Sequence, residues 1–187
     1  MKTTILVGAV AASAALAIAM TGNAGAGLKP GERVTPFHPS HVVGPLAGTS
    51  NCFPCTFQQR PQVQVWVNGD SAENVLAIEG NLQKAMEANK KAEFKALVVF
   101  VAPKAKHAAL AKEIKAGAEK NGTTSIGIAL IDPSDEAIEA YKISTSKDVK
   151  NTVYVYKDWE VKNTMINLKA DAKGLASLNA AIGTIVK

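Results

Sequence analysis

Cysteine is almost absent from this chain, with two residues in 187, Cys52 and Cys55, and histidine is nearly as scarce with three. Two cysteines allow one intramolecular bridge, so the connectivity of any disulfide is settled by count alone. Aromatic residues make up 5% of the chain, and no more than two basic residues stand in a row (Lys90-Lys91). Nucleic-acid binders concentrate Lys and Arg on one face or arm. A formal charge of +5 scattered along amphipathic stretches describes solvated helix faces instead, and excludes nucleic acid as a partner. Glycine-rich phosphate loops, nucleotide fingerprints and Ser/His/Asp sets are all missing. Beyond residue 26 no apolar run reaches the length of a membrane span.

What is present begins at the N-terminus. Met1-Lys2-Thr3-Thr4 carries one positive charge, Ile5 to Met20 is almost unbroken apolar, and Thr21 to Ala26 is small and polar. That layout predicts a secretory signal peptide over 1–26, with Ala24-x-Ala26 as the cleavage site. The competing reading is an uncleaved membrane anchor, since the run is near the lower limit for spanning a bilayer. No cysteine lies at the cleavage site, which argues against a lipoprotein. Cleavage predicts a periplasmic or secreted bacterial protein whose mature chain starts near Gly27. In such an oxidising compartment the default state of Cys52 and Cys55 is a disulfide.

Residues 27–61 form an irregular lead-in that carries the Cys-x-x-Cys. Six prolines (30, 36, 39, 45, 54 and 61) and the glycines at 31, 44 and 48 punctuate it, and it shows little periodicity. A segment of 35 residues is too long for an ordinary connection, so it is either functional or draped over the domain. Arg33-Val34-Thr35 is a candidate edge strand. Regular structure is predicted from 62 to 187. Val63, Val65 and Val67 alternate with Gln62, Gln64 and Trp66, which reads as a strand. Val75, Ile78, Leu82 and Met86 then form one apolar helical stripe, capped by Asp70 or Ser71. Leu97 to Val101 reads as a strand buried on both faces. Leu110, Ile114 and Ala118 mark a second helix closed by Asn121-Gly122. Ser125 to Ile131 is a third strand, and Asp135 to Tyr141 a short helix. Thr152–Tyr156 and Val161–Leu168 form a hairpin across Lys157-Asp158-Trp159-Glu160, and Leu175 to Ile182 a closing helix. The order β-α-β-α-β-α-β-β-α implies an α/β fold with parallel crossovers and a terminal antiparallel pair.

This order resembles the thioredoxin-like fold superfamily in its exported bacterial redoxin and peroxiredoxin branch. The resemblance covers about Val63 to Lys187. It is carried by Ile128-Ala129-Leu130-Ile131-Asp132-Pro133, by Ala140-Tyr141-Lys142-Ile143, and by Thr152-Val153-Tyr154-Val155-Tyr156-Lys157-Asp158-Trp159-Glu160-Val161. It implies a central mixed sheet, with parallel βαβ units and a C-terminal hairpin, flanked by helices. It also implies a thiol-disulfide oxidoreductase without a cofactor, whose partners are protein thiols or disulfides of the exported compartment. By the usual order of such motifs Cys52 attacks and Cys55 resolves. Two departures stand out. Where the family places its reactive cysteine, after the first core strand, this chain has Asn68-Gly69-Asp70-Ser71-Ala72-Glu73. Where the family has a cis-proline before the Thr-containing strand, Lys150 and Asn151 stand here. A cis bond costs about 3 kcal/mol at a non-proline residue, so a trans loop is expected.

Other readings of the pair remain open. Thiolate chemistry needs a lowered pKa, and Cys-x-x-Cys is one context that supplies it. Only Thr56 to Arg60 separate the pair from Pro61, room for about one helical turn, and Arg60 is the nearest cation in sequence. The bridge is otherwise a structural pin in a non-enzymatic binding domain. A third reading joins His38 and His41, with ten residues between His41 and Cys52, to the cysteines in a zinc or copper site. Covalent haem is excluded, because Thr56 stands where the attachment motif needs histidine. Asp132, Asp135, Glu136 and Glu139 suit a helix start better than a catalytic carboxylate pair. Trp66 is expected packed on a strand face and His107 exposed, while an exposed Trp159 would indicate a partner surface.

Overall fold

Alternating apolar residues from Gln62 onward build the central strand of a six-stranded sheet. The computed structural model describes residues 27–187, so the predicted signal peptide lies outside the described residues. Its elements are β1 (Ser40–Val43), α1 (Phe53–Phe57), β2 (Gln62–Val67), α2 (Ala72–Ala88), β3 (Lys95–Val101), α3 (His107–Asn121), β4 (Gly127–Ile131), α4 (Glu136–Ala140), β5 (Asn151–Lys157), β6 (Glu160–Ile166) and α5 (Ala172–Ile185). From β2 onward this is the predicted order. The strands lie in the order β1-β4-β3-β2-β5-β6. The trio β2, β3 and β4 is parallel, and β1, β5 and β6 add antiparallel strands at the two sides. Ser71, Asp135 and Asp171 each cap a helix by accepting a backbone N–H, and Gly122 ends α3 in the left-handed conformation.

Alternation divides each central strand between two cores. Val63, Val65 and Val67 face Val75, Ile78 and Leu82 of α2 and Leu178 and Ile182 of α5. Trp66, Leu97, Val99 and Tyr154 face the other way, onto a cluster that includes Leu28, Val34, Phe37 and Phe53 from the lead-in. All six residues of β2 are therefore buried. Gln62 and Gln64 survive there because each has partners. Tyr156 donates its hydroxyl proton to Gln62 Oε1 (2.7 Å), Gln64 Nε2 donates to the Tyr156 oxygen (2.8 Å), and Trp66 Nε1 donates to Gln64 Oε1 (3.1 Å).

The lead-in is thus the missing layer on one face of the sheet. Backbone bonds from Gly31 and Val34 to the β6 side hold its start, where the expected edge strand shrinks to a single bridge, Arg33 with Glu160. The Tyr141 hydroxyl donates to the Thr35 carbonyl, and Tyr154 donates to the Tyr141 carbonyl. At the far edge the chain forms β1 against β4, a strand the sequence pattern does not announce. Asp158 and Trp159 turn the hairpin with φ of 55° and 68°, the double left-handed geometry that glycine usually supplies. Trp159 is half-buried against the second core, not an exposed platform.

Candidate functional site

The cysteine pair is positioned by a turn that folds back from β1. Gly44 (φ 88°) begins it, and a side chain there would run into the Ile126 backbone. His41 N–H donates to the Thr49 carbonyl, Gly48 N–H returns the bond to His41, and the His41 ring closes the loop. Its Nε2 lies 2.9 Å from the Asn51 carbonyl, so Nε2 carries the proton; Nδ1 is buried without a partner. Burial lowers the His41 pKa, against the opposing hydrogen bond to Asn51.

Cys52 follows directly and serves as the N-cap of α1. Its Sγ accepts the Cys55 N–H at 3.1 Å, and its carbonyl accepts the Thr56 N–H and hydroxyl. Pro54 sits in the first turn, where its missing N–H costs no helical bond. Phe53 anchors the turn, 1% exposed, stacked toward His41 and edge-on to Phe57. It fills the space above Gly127, where a Cβ would lie 3.0 Å from its ring. The short stretch before Pro61 therefore does hold a helical turn. Its N-terminal amide points at a sulfur, and a helix N-terminus is a second context that lowers a thiol pKa.

The two cysteines are joined in a disulfide, with Cα atoms 5.2 Å apart. Their surroundings differ. Cys52 is 6% exposed, whereas Cys55 is exposed. The order expected from the resemblance puts the attacking sulfur at Cys52, and that is the covered one. Arg60 does not reach either sulfur but pairs with Glu93 at 3.1 Å. Lys95, the other cation beside α1, lies over the Phe57 ring, 5.4 Å from its centroid.

Residues 68–73 and Asn151 lie at the opposite end of the sheet. Gln58 and Pro61 bond to Gln62 and Lys95, at the N-terminal ends of the parallel strands. Asn68 and Asn151 stand beside Val67, at the C-terminal end of β2. Six residues of strand place the two loci about 16 Å apart. The position where the resemblance implies a reactive cysteine holds a polar lock instead. Asn151, 1% exposed, donates to Asp70 Oδ2 (2.6 Å) and to the Leu168 carbonyl, and accepts the Leu168 N–H. Asn74 adds a second donor to Asp70. No peptide bond among the described residues is cis, in agreement with the trans loop expected at 150–151.

The other sequence candidates separate. His38 Nδ1 lies against the Ser50 carbonyl, and among the described residues no three His, Cys, Asp or Glu side chains converge on a metal position. Asp132 accepts the Ser134 N–H and hydroxyl and the Lys104 N–H, which bring its pKa to about 2. It braces a turn, and Asp135 caps α4. His107 is half-buried instead of exposed, bonded to the Ala102 carbonyl. Sequence reasoning passed over Glu79, which is 3% exposed with its pKa raised to about 7 by burial. The signal was there: position 79 is four residues after Val75, inside the apolar stripe of α2.

Neither a protein-family model nor a curated protein matches this chain. Solved structures do. A putative thiol:disulfide interchange protein DsbE from Chlorobium tepidum superposes with a TM-score of 0.63 at 9% identity, covering 86% of this chain and 99% of that one. Peroxidoxin BcpB from Mycobacterium tuberculosis gives 0.61 at 15% identity, over 82% and 97%. An uncharacterized conserved protein from Geobacillus kaustophilus gives 0.63 at 13% identity, over 84% and 82%. The fold is thioredoxin-like, with the Cys-x-x-Cys ahead of the core strands.

Proposed function

We propose that this protein is an exported thiol-disulfide exchange protein acting through Cys52 and Cys55, with Cys55 as the sulfur that meets the partner. The carrying observation is the asymmetry of the pair: Cys55 exposed, Cys52 covered and holding the Cys55 N–H. A partner thiolate attacks Cys55 Sγ, forming a mixed disulfide while the Cys52–Cys55 bond breaks. The electron pair goes to Cys52 Sγ, where the N-cap amide stabilises the thiolate and makes it the better leaving group. A second partner thiolate then displaces Cys55, so two partner thiols become a disulfide and the protein becomes a dithiol. The reverse sequence oxidises the protein and reduces a partner. Both the fold and the similarity to a putative interchange protein support this chemistry. No cofactor is required. The signal-like segment 1–26 supports export, and the mature chain should begin near Gly27.

The test is the reduction potential of the pair, by thiol counting across glutathione and dithiothreitol buffers. A value between about −120 and −270 mV is expected; one below about −300 mV would make the bridge structural. Trapping then orders the sulfurs. Incubated with glutathione disulfide, Cys52→Ser should accumulate a mixed disulfide at Cys55 with release of one glutathione thiol, and Cys55→Ser should accumulate much less. Equal or inverted trapping would return the contact role to Cys52.

A further inference from the structure

A cavity with apolar walls lies far from the cysteines, between α2 and α3, and has a volume of about 430 Å³. Each helix gives it one stripe at helical spacing: Val75, Leu76 and Glu79 from α2, and Leu110, Glu113 and Gly117 from α3. Val67, Phe100 and Ile128 form the floor at the end of the parallel strands. Leu76, 40% exposed, stands at its opening. A volume of this size suits a small molecule.

The walls are apolar but the charge is all of one sign. Glu79 is 3% exposed, and no hydrogen bond or ion pair among the described residues reaches its carboxylate. The other titratable groups facing the cavity are Asp70 from the β2–α2 turn, already held by Ser71, Asn74 and Asn151, and Glu113, exposed on α3. The strands contribute no charge, and no Lys, Arg or His lines the space. A buried carboxylate without a cation costs stability that a fold does not retain for packing. Isosteric Gln or Leu would serve packing better.

We propose that this cavity binds a small organic cation, an amine with an apolar body, whose ammonium group pairs with Glu79. The apolar body replaces water against Val75, Leu110 and Phe100, and the ammonium supplies the partner the carboxylate lacks. Ion pairing with a carboxylate largely withdrawn from solvent is stronger than the same pair in water, so selectivity for the cation over a neutral analogue of equal shape follows. Glu79 is held partly protonated near neutral pH by burial. Binding the cation therefore expels its proton, and affinity rises with pH.

The experiment titrates the folded protein with hexylammonium, hexanol and hexanoate, followed by amide shifts and calorimetry. Hexylammonium should perturb residues of both stripes and bind about tenfold more tightly at pH 8 than at pH 6, as ionisation of a group near pH 7 requires. Proton release should appear as a buffer-dependent heat. Glu79→Gln should abolish the pH dependence and bring hexylammonium down to the level of hexanol. Gly117→Leu gives a second variant, because a Cβ at Gly117 meets nothing within 4 Å and leucine favours the helix. It should block the cavity while Glu79 stays in place. Hexanol binding as tightly as hexylammonium, retained pH dependence in Glu79→Gln, unchanged binding in Gly117→Leu, or no binding at all would each overturn the proposal.

Discussion

A carboxyl group largely withdrawn from water, with no cation beside it, holds its proton more tightly in the folded chain than in the unfolded one. For Glu79 burial raises the pKa from 4.5 to about 7. Between those values the unfolded chain has already released the proton that the native chain keeps, so stability falls as pH rises and levels off above 7. The full cost is about 3 kcal/mol. Thermal melts should therefore show Glu79→Gln close to the parent at pH 4.5 and more stable by a few kcal/mol at pH 8. Equal melting temperatures at pH 8 would mean that Glu79 finds a partner in solution. His41 carries the opposite sign. Burial lowers its pKa below 6.5, so native neutral His41 contributes stability above that value, and it is lost as pH falls through and below 6.5. Because its ring bonds to the Asn51 carbonyl next to Cys52, acid should loosen the cysteine turn first. Amide exchange corrected for intrinsic rate should rise at residues 49–55 between pH 7 and 5 while α5 stays protected. Uniform exchange across both would refute this local role.

The elements from β2 onward were legible because each repeats a pattern: alternation in β2, stripes of three and four in α2 and α3, a paired run in β5 and β6. The lead-in repeats nothing. Leu28, Val34, Phe37 and Phe53 each enter the second core singly, with prolines and polar residues between, so no period announces that they are buried. β1 was invisible for a related reason: its four residues pair only because β4 offers an edge. The Cys-x-x-Cys was legible by spacing, but which sulfur faces solvent was not. That depends on Phe53, stacked toward His41, packing against Gly127 far along the chain. Gly44 tests how much the turn matters. With φ 88° and the Ile126 carbonyl in the place of any Cβ, Gly44→Ala combines left-handed strain with a backbone collision. Its cost should be about 2 kcal/mol or more, read by chemical denaturation. It should also raise the exposure of Cys52 to alkylation after mild reduction. A fully stable Gly44→Ala would show that β1 can shift away from β4 without loss.

At the scale of the whole molecule the lead-in, a strap over residues 27–61, and the disulfide carry very different shares of the stability. A bridge between residues three apart closes so small a ring that its chain-entropy contribution is only about 2 kcal/mol, against nearly 5 for a ring of a hundred residues. The strap covers Trp66, Tyr141 and Tyr154 and is tied by backbone bonds at Gly27, Gly31, Val34 and β1. Its attachment does not pass through the sulfurs. Reduction should therefore leave the fold intact and lower the melting temperature by only roughly 4–8 °C. A chain of residues 62–187 alone, though it holds every central strand, should lose cooperative melting and bind hydrophobic dyes through the bared aromatic face. The reverse result, a reduced full chain that unfolds and a stable 62–187 fragment, would make the cysteines a structural pin on a dispensable arm. Mild loss on reduction with collapse on truncation is what a redox site needs: sulfurs that can open and close on a scaffold that does not.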